Sequence, residues 1–174
     1  AEEIEIVSAE TGWFNVYEAF KEERNLPIFP RGYAWSARRN PPKQILREKK
    51  ALKVALNNGF VLGDPDIDAI SRLFWPIRTV GMREGWGKVL GLAPGTWSSH
   101  NNKNTAIRRE IIPVYFTPVS TGRNSDIWSS YIICRLAEHM GETVTFGAPL
   151  VRQPRNPHDL WIDLEAELLN NRAT

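Results

Sequence analysis

The sequence predicts an α/β fold with a mixed sheet flanked by helices. Strand-like and helix-like segments are interspersed without strict alternation, which argues against an all-parallel doubly wound sheet. Within 174 residues, 42% are apolar, enough to build one core and too many for a disordered chain. No repeat or low-complexity tract is visible, and the 12 Pro and 12 Gly are dispersed rather than gathered in a linker, so residues 1–174 read as a single domain.

Taken in order, Ile4-Glu5-Ile6-Val7 alternates and is short, as an edge strand would be. Residues 15–23 read as a short helix that stops before Asn25-Leu26-Pro27, after which Ile28-Phe29-Pro30 must be extended. The clearest early helix is expected over 42–58. Pro42 suits its first turn, Asn57-Asn58-Gly59 its end, and Ile45, Leu46, Leu52, Ala55 and Leu56 one apolar side. Phe60-Val61-Leu62 reads as a buried strand, followed by a turn at Gly63-Asp64-Pro65-Asp66 and a helical turn or two to Leu73. Strands are expected at 88–92 and 114–116, separated by the polar loop 98–105 and a helical 105–111. Asp126 is placed as N-cap of a helix over 127–140 closed by Gly141, before a strand at 144–146. An irregular loop at 149–157 and an amphipathic helix at 158–170 complete the chain.

Composition excludes several functions. Cys134 is the only cysteine, so neither an intrachain disulfide nor a cysteine-based zinc site is available, and a reducing, cytoplasmic compartment fits. His100, His139 and His158 show no HExxH spacing, and no Walker, GxGxxG or GxSxG motif occurs. No apolar run is long enough to span a membrane, and the acidic start at Ala1-Glu2-Glu3 is unlike a signal peptide. The net charge of +2 does not favour nucleic-acid binding as the main role. Charge is nevertheless uneven. Residues 1–30 carry seven acids and two bases, 31–53 carry eight bases and one acid, and the remainder carries twelve of each. The basic stretch would attract an anion such as a phosphate, and it also fits a solvated helix face.

Four segments carry candidate chemistry. In Arg31-Gly32-Tyr33-Ala34-Trp35-Ser36-Ala37-Arg38 two guanidiniums flank an aromatic pair, a combination suited to a diphosphate with Tyr33 or Trp35 against a sugar ring. An aromatic loop with snorkelling arginines has the same composition. Asp64, Asp66 and Asp68 alternate in a tight turn and can offer oxygen ligands to Mg²⁺ or Mn²⁺, with Asp64 and Asp66 the metal candidates; capping of the next helix explains Asp66 equally well. The stretch Pro94 to Thr105 is dense in hydroxyls and carboxamides, with Trp97 as a stacking surface and Asn104 as a hydroxyl binder, or it is an ordinary polar loop. In Gly122-Arg123-Asn124-Ser125-Asp126 a carboxylate at a helix start can act as a base or hydroxyl acceptor, or simply cap.

In their order and spacing, these segments resemble the reversibly glycosylated polypeptides, which are UDP-arabinopyranose mutases, and the related STELLO-type proteins. The resemblance rests on Pro30-Arg31-Gly32-Tyr33 with Arg38, Asp64-Pro65-Asp66-Ile67-Asp68-Ala69, and Pro94-Gly95-Thr96 leading to Asn104-Thr105-Ala106. It continues through Gly122-Arg123-Asn124-Ser125-Asp126-Ile127-Trp128 and Gly147-Ala148-Pro149, while Arg155-Asn156-Pro157-His158-Asp159-Leu160 is closer to the STELLO type. It covers residues 29–160 and departs from the mutases at Ala34-Trp35, where they usually carry Pro-Phe.

The resemblance implies the second half of a GT-A glycosyltransferase fold, acting on a UDP-sugar and a carbohydrate acceptor as a glycosyltransferase or mutase. By it, Arg31 matches the reversibly glycosylated arginine and Arg38 the second required one. Asp126 would serve as base or hydroxyl acceptor. Tyr33, Trp35, Asp66, Asp68, Trp97, Asn104 and Arg123 would bind substrate, aided by a divalent Mn or Mg ion. The half that carries the uridine site in such proteins is not matched, which leaves three alternatives: a partner subunit supplies it, it has been lost, or this sequence is a fragment of a larger protein. The alternative is a non-catalytic partner of a complete glycosyltransferase. Golgi association is a further implication of the resemblance alone.

Overall fold

The computed structural model describes residues 3–86 and 89–173. Lys88, first residue of the strand expected at 88–92, lies outside the described residues, as do Ala1 and Glu2 of the acidic start. The described strands are β1 (Ile4–Ala9), β2 (Phe20–Glu22), β3 (Ile45–Lys50), β4 (Lys53–Gly63), β5 (Thr79–Met82), β6 (Leu90–Leu92), β7 (Thr105–Ile107) and β8 (Glu142–Gln153). The helices are α1 (Trp35–Arg39), α2 (Ala69–Phe74), α3 (Ser125–His139) and α4 (Leu160–Ala173), with short 3₁₀ turns at Val16–Ala19, Arg109–Val114 and Val119–Asn124.

The strands form one mixed sheet in the order β2-β5-β4-β8-β6-β1-β3, with β7 also paired to β4. Its centre is the parallel pair β4 and β8, running from Lys53 opposite Glu142 to Gly63 opposite Gln153 with register shifts between Val54 and Leu56 and between Gly59 and Val61. Buried Phe14, Phe20, Phe60, Phe146 and Ile133 belong to the main core, with the Phe20 and Phe60 rings 5.1 Å apart edge to face. The mixed α/β architecture expected from the sequence is present.

Several expected elements differ. The helix expected over 42–58 is instead β3 and β4, and Phe60-Val61-Leu62 is only the end of β4. Of the apolar residues offered to one helix face, Ala55 and Leu56 are buried on β4, where β8 supplies a non-local ladder, while Ile45 and Leu46 lie on β3 beside β1, with Leu46 exposed. Asn57-Asn58-Gly59, read as a helix stop, lies mid-strand. There Asn58 Nδ2 donates to the Asn101 carbonyl at 2.8 Å and Thr105 Oγ1 at 2.9 Å, and the Gly59 N–H donates to the Asn104 carbonyl at 2.7 Å. Polar residues that look like a stop signal are the anchors of the 101–105 loop.

β1 is not an edge strand: β6 and β3 flank it. Its pairing with β3 sets Glu5 opposite Lys49 and Ile6 opposite Glu48, and Arg47 Nη1 lies 2.5 Å from Glu5. Glu10 accepts the Lys43 N–H at 2.7 Å. Part of the basic 31–53 stretch thus meets the acidic amino-terminal stretch within the chain.

Residues 15–23 divide into a 3₁₀ turn, whose Tyr17 N–H donates to Asn15 Oδ1 at 3.1 Å, and β2. Thr105–Ile107 is strand rather than helix because β4 offers a free edge there, and Arg109–Val114 is a 3₁₀ turn containing Pro113. The strand expected at 114–116 is absent among the described residues, and Phe116 is exposed. Strand β8 runs on to Gln153, into the region expected as loop. Helix α3 starts one residue before Asp126, with Asn124 in the cap position, so Asp126 sits in the first turn; Gly141 follows the helix with φ +69°. Among the described residues no helix is long and apolar enough to cross a membrane.

Candidate functional site

The turn from Gly63 to Asp68 lies at the carboxyl end of β4, where open α/β sheets place ligands. Its carboxylates diverge to different arginines. Asp64 pairs with Arg72, Asp66 with Arg31 at 3.0 Å, and Asp68 with Arg38 at 2.6 Å. Alternate positions share a face in extended backbone, so the fan comes from the turn itself: the Ile67 N–H donates to the Pro65 carbonyl at 3.0 Å, bending the chain at Asp66, and Gly63 stands at φ +88°. Asp68, rather than Asp66, caps α2, accepting the Ser71 N–H at 2.8 Å.

Arg31 is the hub. Its Nε donates to Asp66 Oδ1 at 3.1 Å and its Nη2 to Asp66 Oδ2 at 3.0 Å. Nη2 also reaches Asp126 Oδ1 and Oδ2 at 3.0 and 2.8 Å, while Nη1 donates to the Arg123 carbonyl at 2.6 Å and Asn124 Oδ1 at 3.3 Å. Every nitrogen of the guanidinium therefore has an acceptor within the fold. Gly32, at φ +86°, turns the chain behind it, with Ile127 and Tyr131 packed where a side chain would be.

The electrostatics follow from that geometry. Burial opposes ionisation of Asp66, but the Arg31 guanidinium outweighs it, with Lys103 adding, and the carboxyl is held down at about 2. Burial works against the charge on Arg31, and Asp66 and Asp126 more than offset it, leaving the guanidinium firmly protonated. Burial lowers the Lys103 ammonium, whose Nζ stands 4.0 Å from Asp66. Asp126 keeps one-fifth of its side chain exposed, whereas Asp66 is 6% exposed, so Asp126 is the open carboxylate of the cluster.

Arg31, Asp66 and Asp126 are thus brought together, but as one another's partners. Arg38 occupies a neighbouring cluster, its guanidinium 4.1 Å over the Trp35 ring and 5.2 Å over Phe29. Tyr33 is buried against Phe29 and Trp13. Trp97 is half-buried, bridged to Trp13 and close to Tyr131. Asn104 serves the edge of β4, donating to the Phe60 carbonyl at 3.2 Å. Arg123 turns its side chain to α4, reaching Glu167 at 2.7 Å and Asp163 at 2.9 Å.

Sequence reasoning missed Glu167, which also accepts the Ala69 N–H at 2.7 Å and so ties Arg123 to the start of α2. The signal was the four-residue spacing of Asp163 and Glu167 on one face of an amphipathic helix. Arg72 lay in no motif, and Lys103 and Arg155 lay within quoted segments without being singled out as site residues. With Asp64, Asp66 and Asp68 each committed to an arginine, and no group of three or more His, Cys, Asp or Glu gathered among the described residues, the donor set does not fit the divalent ion that the resemblance implies.

In comparisons with known proteins, no protein-family model and no curated protein matches this chain.

Proposed function

We propose that this chain is a nucleotide-sugar-dependent glycosyltransferase or mutase domain, built as the second half of a GT-A-like fold. The observation that supports it is the meeting of residues from three separate motifs, Arg31, Asp66 and Asp126, in one cluster at distances of 2.8 to 3.1 Å. Cleavage of an anomeric bond needs an oriented carboxylate near the sugar and cations near the departing phosphate. Asp126, partly exposed and held on both oxygens by Arg31, is the oriented carboxylate, serving as base or hydroxyl acceptor. Arg31 acts first as the group that positions Asp126. Contact with a diphosphate, or sugar attachment at Arg31, requires Nη1 to release the Arg123 carbonyl and Asn124. No step is assigned to a metal ion.

Calorimetric titration with UDP-sugars, with and without Mn²⁺, tests this reading. Binding by the native chain together with its loss in Asp126→Asn, a substitution that keeps the side-chain shape, is the expected result. Absence of binding by the folded native chain, or equal binding by the variant, overturns it.

The second reading is a non-catalytic partner of a complete glycosyltransferase, and the internal saturation of Arg31 favours it. Under it the chain co-purifies with that enzyme and neither transfers nor hydrolyses any UDP-sugar.

A further inference from the structure

A second site lies at the carboxyl end of the parallel pair β4 and β8, around Gly63 and Gln153, and does not depend on the reading of Arg31 and Asp126. It is an open cavity of about 930 Å³, large enough for a nucleotide-sized ligand. Its charged lining is Arg72, Arg78, Arg152 and Arg155 with His158, against Glu23 and Asp64. Four guanidiniums against two carboxylates leave it short of negative charge.

The shortage is local as well as formal. Arg72 is committed to Asp64 and the Pro65 carbonyl, yet its buried Nε has no acceptor. Arg155 is only 13% exposed, and its buried Nε also lacks one. The carboxylate nearest Arg155 is Asp163, but Arg123 already takes Asp163 Oδ1 at 2.9 Å, so Arg155 is left at 3.6 Å and His158 at 3.4 Å, both sharing Oδ2. Burial and then the neighbouring Arg72 depress the Arg155 guanidinium below its usual value, which is what an under-compensated cation cluster does. Arg78 and Arg152 are exposed at the cavity and enter no ion pair among the described residues. Trp75 and Ile77 offer an apolar wall beside them, with Arg24 stacked 4.6 Å over Trp75.

A guanidinium cluster short of negative charge at the carboxyl end of parallel strands has the chemistry of a phosphate site: planar N–H pairs meet phosphate oxygens, and the low-dielectric wall strengthens the attraction. We propose that this cavity binds a phosphate-bearing ligand, its anionic group held by Arg155, Arg152 and Arg78 and its remaining part resting on Trp75 and Ile77.

The test is isothermal titration of the native chain with pyrophosphate at constant ionic strength, beside the double variant Arg78→Gln, Arg152→Gln. Both residues are exposed, so the variant keeps the fold, and circular dichroism verifies it. Saturable binding by the native chain, weakened about tenfold or more in the variant, is the expected result. No saturable binding, or equal affinity in native chain and variant, overturns the proposal. Asp126→Asn, which leaves this cavity intact, retains pyrophosphate binding even where it loses a UDP-sugar, so failure of one site is distinguishable from failure of the other.

Discussion

Arg31 and Asp126, 95 residues apart in sequence, meet with Nη2 2.8 Å from Oδ2, and the same nitrogen holds Asp66 at 3.0 Å. One guanidinium thereby joins the turn after β4, the 3₁₀ turn at Val119–Asn124 and the first turn of α3. The cluster is a structural joint before it is anything else, and its stability should report on it directly.

Arg31→Met keeps most of the side-chain volume and removes the charge. Asp66 is then a buried carboxylate without its main partner, and breaking such a pair costs about 3 to 5 kcal/mol. Urea denaturation should show that loss, with part of it recovered in the double variant Arg31→Met, Asp66→Asn. A loss below about 1 kcal/mol would mean that the network is already open in solution.

Asp66 makes stability depend on strong acid. Its carboxyl falls from the ordinary 3.8 to about 2 in the fold, so between those values the unfolded chain binds more protons than the folded one. The stabilisation is complete above about 3.8 and is lost as pH falls through about 2, amounting to about 2 kcal/mol. Denaturant midpoints measured across that range should decline in the native chain and decline less in Asp66→Asn.

His100 acts in a milder range. Burial holds its imidazole at about 4 against the ordinary 6.5, and its Nε2 is buried without a partner, so it stays neutral in the fold. The unfolded chain takes up a proton between those values, and the fold weakens as pH falls from 6.5 to 4 by up to about 3 kcal/mol. Nuclear magnetic resonance titration of the ring should find no protonation at pH 6, and His100→Asn should flatten the stability profile over that interval.

Gly32→Ala places a methyl against Ile127 while keeping φ at +86°, where an L residue is strained. Strain and crowding together should cost about 2 kcal/mol or more by thermal or chemical denaturation. Gly95, also at positive φ (+78°) but facing open space, should lose only the conformational part, so Gly95→Ala is the control. Equal losses at the two positions would show that the contact with Ile127 adds nothing.

Legibility in the sequence followed the range of the interactions. Helix α3 with Gly141 after it, the terminal helix α4 and the buried strand at 60–62 were readable because caps and apolar spacing act within a few residues. The mixed α/β class was readable too, from interspersed patterns, whereas Arg31, Asp66 and Asp126 were singled out separately in three segments and nothing in the sequence paired them with one another. Tertiary structure alone decided that 45–50 and 53–58 are strand where a helix over 42–58 was expected, since the ladders to β1 and β8 come from chain far away. It also decided that Arg31 spends its donors on Asp66 and Asp126, that Glu167 reaches back to Ala69, and that four scattered arginines face one cavity. Hydrogen bonds and ion pairs are short-ranged in space but indifferent to sequence distance, so which partner each charge finds is settled only when the fold closes.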